Sequence, residues 1–325
     1  LGCTQIISTD KTGTLTQNKM TVVQDESNNP KLLAEAMALC SDAEIGEDDI
    51  EAIGEPTEAA LVNFANKIGL PKYKLEQEAP RIGEAPFDSM RKMMSTVHNK
   101  NEKIIQYTKG ACEILLERST HYLDKDGQVV PMTEEIKQEV RRKNKEFADK
   151  ALRLLGAAYR EHDQVPENFD AENLEKDLTF IGFVGMIDPC RPEVYDAIKE
   201  CRKAGIRPVM ITGDHIDTAV AIGKDLGIIK DASEAMTGAE LDGLSEKDLI
   251  KKVKKCSVFA RVQPEHKTKI VRAFKAQDLV VAMTGDGVND APSIKAADIG
   301  ISMGITGTDV TKQASDMVLA DDNFA

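Results

Sequence analysis

In Ile6-Ile7-Ser8-Thr9-Asp10-Lys11-Thr12-Gly13-Thr14-Leu15-Thr16 a short apolar run leads to a carboxylate, and the turn after it holds a lysine, three threonines and a glycine. The run Ile6-Ile7 reads as a strand with Asp10 at its carboxyl end. In an open α/β sheet, ligands bind just beyond the carboxyl ends of the strands. An aspartate there can serve as a nucleophile when a metal ion and cationic side chains offset its charge. Two further polar turns, Thr212-Gly213-Asp214 and Thr284-Gly285-Asp286-Gly287-Val288-Asn289-Asp290, each follow an apolar run.

Between these turns strand and helix alternate. Strands are predicted over 206–211, 257–262, 279–283 and 298–303, and helices over 192–204, 217–226 and 264–276. The first of these helices has Pro192 at its start, apolar Val194, Ile198 and Cys201 at helical spacing, and Gly205 past its end. Strands separated by such helices predict βαβ units and a doubly wound parallel sheet with its polar turns at one end. Residues 22–180 read differently. Helices are predicted over 31–40, 57–68, 111–119 and 133–150. Strands are predicted over 93–97, 104–108, 152–159 and 178–184, the first two flanking a hairpin turn at His98-Asn99-Lys100-Asn101. Helices mixed with hairpins suggest an α+β domain. The expected division is therefore 1–21 with 181–325, and an inserted 22–180, with the crossings near 20 and 185 acting as a hinge. The acidic stretch 42–51 is expected to be a solvated loop. The five histidines are expected at the surface, and Met90, Met93 and Met94 in a core.

The bulk numbers narrow the function classes. At 325 residues there is length for two domains with real cores. A net charge of −13 disfavours nucleic acid or anionic lipid as a direct partner. The six cysteines are scattered without a C-x-x-C, so neither a disulfide framework nor a zinc site is expected. No stretch approaches the roughly 20 apolar residues that span a bilayer.

The heptapeptide Asp10-Lys11-Thr12-Gly13-Thr14-Leu15-Thr16 resembles the phosphorylation motif of P-type ATPases, pumps that pass through an aspartyl-phosphate. Lys109-Gly110-Ala111-Cys112-Glu113 is similar to the family's nucleotide-domain lysine motif and Asp188-Pro189-Cys190-Arg191 to its hinge motif. With the turns at 212–214 and 284–290 these stand in the family's order. The stretches 54–61 and 310–319 look most like the Ca²⁺-transporting group. The resemblance implies a haloacid-dehalogenase-like phosphorylation domain carrying an inserted nucleotide-binding domain. It implies ATP and Mg²⁺ as ligands. It further implies a soluble, monomeric piece from the cytoplasmic face of a membrane protein whose membrane helices and actuator domain lie elsewhere in the parent chain.

Residue by residue, the resemblance implies Asp10 as the phosphorylated nucleophile. Asp10, Asp286 and the Thr12 carbonyl would hold Mg²⁺, an ion that takes oxygen ligands and phosphate. Lys267 would meet the transferring phosphate as a point charge, and Thr212, Gly213 and Asp214 would form the phosphate-binding turn. Asn289 and Asp290 would hold the metal-side turn. In the inserted domain Phe87 matches the adenine-stacking aromatic, Glu58 the adenine-side acid, Lys92 and Lys109 the nucleotide-site lysines, and Arg153 an arginine near the phosphates. Asp188 and Arg191 would form a hinge ion pair. Cys112 and Cys190 stand where the family commonly has proline. Haloacid-dehalogenase-type phosphatases usually carry a second aspartate, an acid/base, where this chain has Thr12. Threonine lacks that proton chemistry, which favours a lasting phosphoenzyme over a soluble phosphatase of the same superfamily. The intact set Asp10, Lys267 and Asp286 counts against a third reading, a catalytically silent nucleotide-binding module.

Overall fold

In the computed structural model, which describes residues 2–46, 48 and 50–325, Ile6–Asp10 is the middle strand of a seven-stranded sheet. The order is Ala235–Thr237, Val258–Ala260, Arg207–Ile211, Ile6–Asp10, Val281–Gly285, Ile299–Met303, Met317–Leu319, and every pairing is parallel. After Ile6–Asp10 the chain builds one side of the sheet and then, from Val281–Gly285 on, the other, so this strand sits where the strand order reverses, the place at which such sheets bind ligands. Asp10 is in register with Ile211, and Thr9 with Thr284. The turns at 10–15, 212–214 and 285–290 therefore share one rim. Helices cover both faces. Phe259 packs edge-on against Phe274 of helix Pro264–Lys275, while its neighbour Val258 lies beneath Gly223 of helix Ile216–Asp225. Alternate residues of a strand point to opposite faces, so runs such as Val209–Ile211 and Val258–Ala260, covered on both faces, read as continuously apolar.

The chain divides into two compact units, the segment ending at Lys19 together with Asp188–Ala325, and Met20–Ile187. The second unit is built on a mixed sheet ordered Arg81–Asp88, Met93–Lys100, Lys103–Gly110, Arg153–His162, Leu178–Ile187, Ser119–Leu123, Val129–Pro131, with Thr21–Ser27 also paired to Leu178–Ile187. One face packs Leu33, Met37 and Leu61 of helices Pro30–Leu39 and Pro56–Lys67 against Met94 and Tyr107. The other packs Leu115 and Phe147 of helices Cys112–Arg118 and Glu134–Ala148 against Met93 and Phe183. Among the described residues no helix is long and apolar enough to cross a membrane.

Several expectations need correction. Residues 181–187 belong to the second unit, because Leu178–Ile187 is one unbroken strand held by both Thr21–Ser27 and Arg153–His162. The hairpin strands run on to Lys100 and from Lys103, leaving a two-residue turn, Asn101-Glu102, with both φ positive (51° and 66°). That is the turn whose twist matches paired strands. Strand Arg81–Asp88 escaped prediction because it contains Gly83 and Pro86 and buries only Ala85, the pattern of an edge strand. Met93 and Met94 are core residues but Met90 is exposed. His98 is buried between the Ala79 carbonyl and the Thr96 hydroxyl, and burial lowers its pKa to about 4. His266 is buried against Asp242. Of the acidic stretch, Glu47 and Asp49 lie outside the described residues. Ala43 and Ile45 are buried against Val62, so the stretch is partly core.

Candidate functional site

On the rim of the parallel sheet, Asp10 closes its strand and the backbone turns sharply through Thr12 and Gly13. Gly13 has φ +78°, and a Cβ there would lie 2.7 Å from an Asp286 carboxylate oxygen. Glycine thus permits both the left-handed turn and the approach of Asp286. A Cβ at Gly285 would likewise fall 2.5 Å from the Asp290 side chain. The two loops close together, and Asp10, Asp286 and Asp290 bring carboxylate oxygens within 4.8 Å of one another.

Lys267, in the first turn of helix Pro264–Lys275, enters this acidic cluster. Its ammonium is 3.2 Å from Asp10 and 2.6 Å from Asp290, and the residue is buried. Burial is the largest influence on it and works to lower its pKa. Asp10 and Asp290 outweigh that, so the ammonium titrates above its usual value. Asp10 is pushed up to about 6, chiefly by burial, against the pull of Lys267. Asp286 is raised by burial and by the charge of Asp290. With the carboxylates ionised, three negative charges face one positive charge. Such a set of hard oxygen donors fits a small divalent cation such as Mg²⁺.

The remaining rim residues are placed as follows. Asp214 pairs at 2.8 Å with Lys11, the residue after the nucleophile candidate. Buried Thr212 accepts from the Asp214 amide through its hydroxyl, and the space above Gly213 is open. The Asp286 carbonyl is held by the Thr308 amide and the Thr311 hydroxyl. Thr12 is exposed. Asn289 is exposed, whereas Asp290 is buried and accepts from the amides of Asp286 and Gly287 while it pairs with Lys267. Asp290 is therefore the residue the sequence reading underweighted. Its position four residues after Asp286 in a tight turn was the available signal.

No ion pair joins Asp188 to Arg191 among the described residues. Asp188 instead accepts from the Thr16 hydroxyl at 2.5 Å and the Lys19 amide at 3.0 Å. Arg191 donates to the carbonyls of Thr16 and Gly13. The expected pair is thus two separate clamps on the strand-to-loop exit behind Asp10. Charge attraction is satisfied there by backbone groups that helices and strands leave free. Between them, backbone bonds Arg191-to-Leu15 and Gln17-to-Pro189 flank Cys190. Burial raises the Cys190 thiol to about 11 and that of Cys112, at the first position of its helix, to about 12.

In the second unit, four of the five nucleotide-site candidates fall at one end of the mixed sheet. Phe87 lies near the end of Arg81–Asp88, Lys92 just before Met93–Lys100, Lys109 near the end of Lys103–Gly110, and Arg153 at the start of Arg153–His162. Glu58, in the first turn of its helix, reaches the same end by an ion pair with buried Lys109. Lys109 also donates to the Ser41 hydroxyl, and Glu58 accepts from the Asp42 amide. Phe87 is 61% exposed, an aromatic face left to solvent.

Residues 29–193 match the family model described as P-type ATPase, cytoplasmic domain N. The chain belongs to the P-type ATPases. Over its whole length it is 50% identical to Calcium-transporting ATPase 1 of Bacillus cereus and 46% identical to the Calcium-transporting ATPase of Bacillus subtilis. It is 38% identical to the endoplasmic reticulum calcium ATPase srcA of Aspergillus fumigatus. It spans 38–41% of the length of these relatives.

Proposed function

We propose that this P-type ATPase chain is the catalytic portion of a cation pump. It would bind ATP in the Met20–Ile187 unit and transfer the γ-phosphoryl group to Asp10 in the haloacid-dehalogenase-like unit. The observation that carries the reading is Lys267 set between Asp10 and Asp290, with Asp286 alongside, at the point where the strand order reverses. In the proposed step an Asp10 carboxylate oxygen forms the new bond to phosphorus. The bond from phosphorus to the β,γ-bridging oxygen breaks and ADP leaves. Lys267 partly offsets the Asp10 charge and then meets the phosphoryl oxygens. Thr212 and Gly213 offer a hydroxyl and an open backbone face to those oxygens. Asp10, Asp286 and the Thr12 carbonyl would hold Mg²⁺, with Asp290 beside them; the ion when bound neutralises charge on the transferring group.

Phe87 would stack the adenine, with Glu58 and Lys109 beside it and Lys92 and Arg153 toward the phosphates. Thr12 supplies no acid or base to hydrolyse the aspartyl-phosphate, which suits a conformational cycle. Asp188 and Arg191 support a hinge role by fixing both crossings to the loop behind Asp10. The relatives' names favour Ca²⁺ as the ion of the parent protein, at the cytoplasmic face of a membrane. Beryllium fluoride with Mg²⁺ tests the site, since a native-state ligand raises the melting temperature. The wild-type chain should show the shift and Asp10→Asn should not; an equal shift in the variant would remove Asp10 from the site.

A further inference from the structure

Beside Phe87 lies a charged contact that the phosphoryl-transfer scheme does not use. Glu175 is 1% exposed, and its carboxylate pairs with Arg91. The same guanidinium donates through its other arm to the Pro86 carbonyl at 2.7 Å. Pro86 precedes Phe87, and Arg91 precedes Lys92. One planar group therefore ties the two ends of the turn that carries both nucleotide-site candidates. Inside the turn the Asp88 carboxylate accepts from the amides of Met90 and Arg91, and its carbonyl from that of Lys92. Lys92 sits at φ +56°. Left-handed backbone is uncommon for a residue that carries a side chain, and strained positions of this kind gather at ligand clamps.

Glu175 is itself held rigidly. Its carbonyl accepts from Arg118, and the preceding carbonyl, of Leu174, accepts from buried Gln106. Leu174 packs with Ala85, Val97 and Ile104 on the outer strands. A buried ion pair adds little net stability over an apolar pair of the same shape. What this one adds is geometry, a fixed anchor for a turn on an edge strand.

We infer that Glu175 and Arg91 are positioning residues for nucleotide recognition, locking the 86–92 turn so that Phe87 and Lys92 are set before ATP arrives. This rests on the assignment of Phe87 to the adenine. Fixing a binding loop beforehand removes an ordering cost from binding. The test is calorimetric titration of the chain with AMP-PCP, a nonhydrolysable ATP analogue. Glu175→Gln should bind roughly tenfold more weakly, the scale of one lost charge-assisted tether. Arg91→Lys, which keeps the charge but not the fork, should behave alike and guards against misfolding of the first variant. Phe87→Ala/Glu175→Gln should lose less affinity than the two single losses combined, because part of the Glu175 effect acts through Phe87 and part through Lys92. Beryllium fluoride binding at Asp10 should be unchanged in Glu175→Gln.

If Phe87→Ala weakens AMP-PCP while Glu175→Gln and Arg91→Lys bind as wild type, the positioning role is overturned. It is equally overturned if the Phe87 and Glu175 effects simply add. Full affinity in Phe87→Ala would instead overturn the adenine assignment beneath it.

Discussion

Replacing Lys267 by methionine keeps the length of the side chain and removes a cation that touches both Asp10 and Asp290. Three carboxylates with oxygens within 4.8 Å are then left to one another. Breaking a buried ion pair from one side costs about 3–5 kcal/mol. The site can limit that cost by taking up a proton. At pH 8 this costs about 5–6 kcal/mol for a carboxyl group whose unfolded pKa is near 3.9, so the full loss should appear there. At pH 5 the same protonation costs only about 1–2 kcal/mol. Asp10 already titrates at about 6 with Lys267 present and is mostly protonated at that pH. The destabilisation should therefore shrink from about 3–5 to about 1–2 kcal/mol between pH 8 and pH 5. Urea unfolding in EDTA, followed by circular dichroism, measures it. Added Mg²⁺ should recover part of the loss at pH 8 by binding the folded state. A loss below about 1 kcal/mol at pH 8, or one independent of pH, would refute the electrostatic account of the cluster.

Further outcomes follow from the same geometry. In the metal-free chain, carboxyl carbon NMR should show Asp10 titrating near pH 6. Because that pKa is raised, its contribution to stability is present in acid and fades as the pH rises through about 6, and Asp10→Asn should gain stability relative to wild type above that point. Gly13→Ala should cost about 1–2 kcal/mol for its left-handed backbone and should also abolish the beryllium fluoride shift, since its methyl group would meet Asp286; calorimetric scans with and without the ligand check both. Asp188→Ala should cost about 1–3 kcal/mol in urea unfolding by removing the carboxylate to which the Thr16 hydroxyl and the Lys19 amide donate.

Much of this architecture was legible because three polar turns each follow an apolar run. Runs such as Val209–Ile211 and Val258–Ala260 are apolar throughout because helices bury both their faces, and that is the mark of a parallel sheet. The strand bearing Phe87 was not legible. An edge strand buries one residue in eight here, and its pairing is set by a neighbour rather than by its own pattern. The Asp10 and Lys267 pairing was readable only through motif order, since a lysine in the first turn of a helix is ordinarily solvated. Contacts made to backbone carbonyls, such as Arg191 on Thr16 and Gly13, leave no trace in side-chain types. The pairing of Asp188 with Arg191 came from the resemblance alone, and the partners each has instead lie largely on the backbone.

The central claim is that Asp10 accepts a phosphoryl group from ATP. The chain incubated with γ-³²P-labelled ATP and Mg²⁺, then quenched in acid, should carry label that hydroxylamine removes. Borohydride reduction should convert the labelled residue to homoserine, located at position 10 by mass spectrometry. Asp10→Asn should take up no label. Label on a serine or threonine, equal label in Asp10→Asn, or no label on a chain that binds ATP by calorimetry would contradict the account.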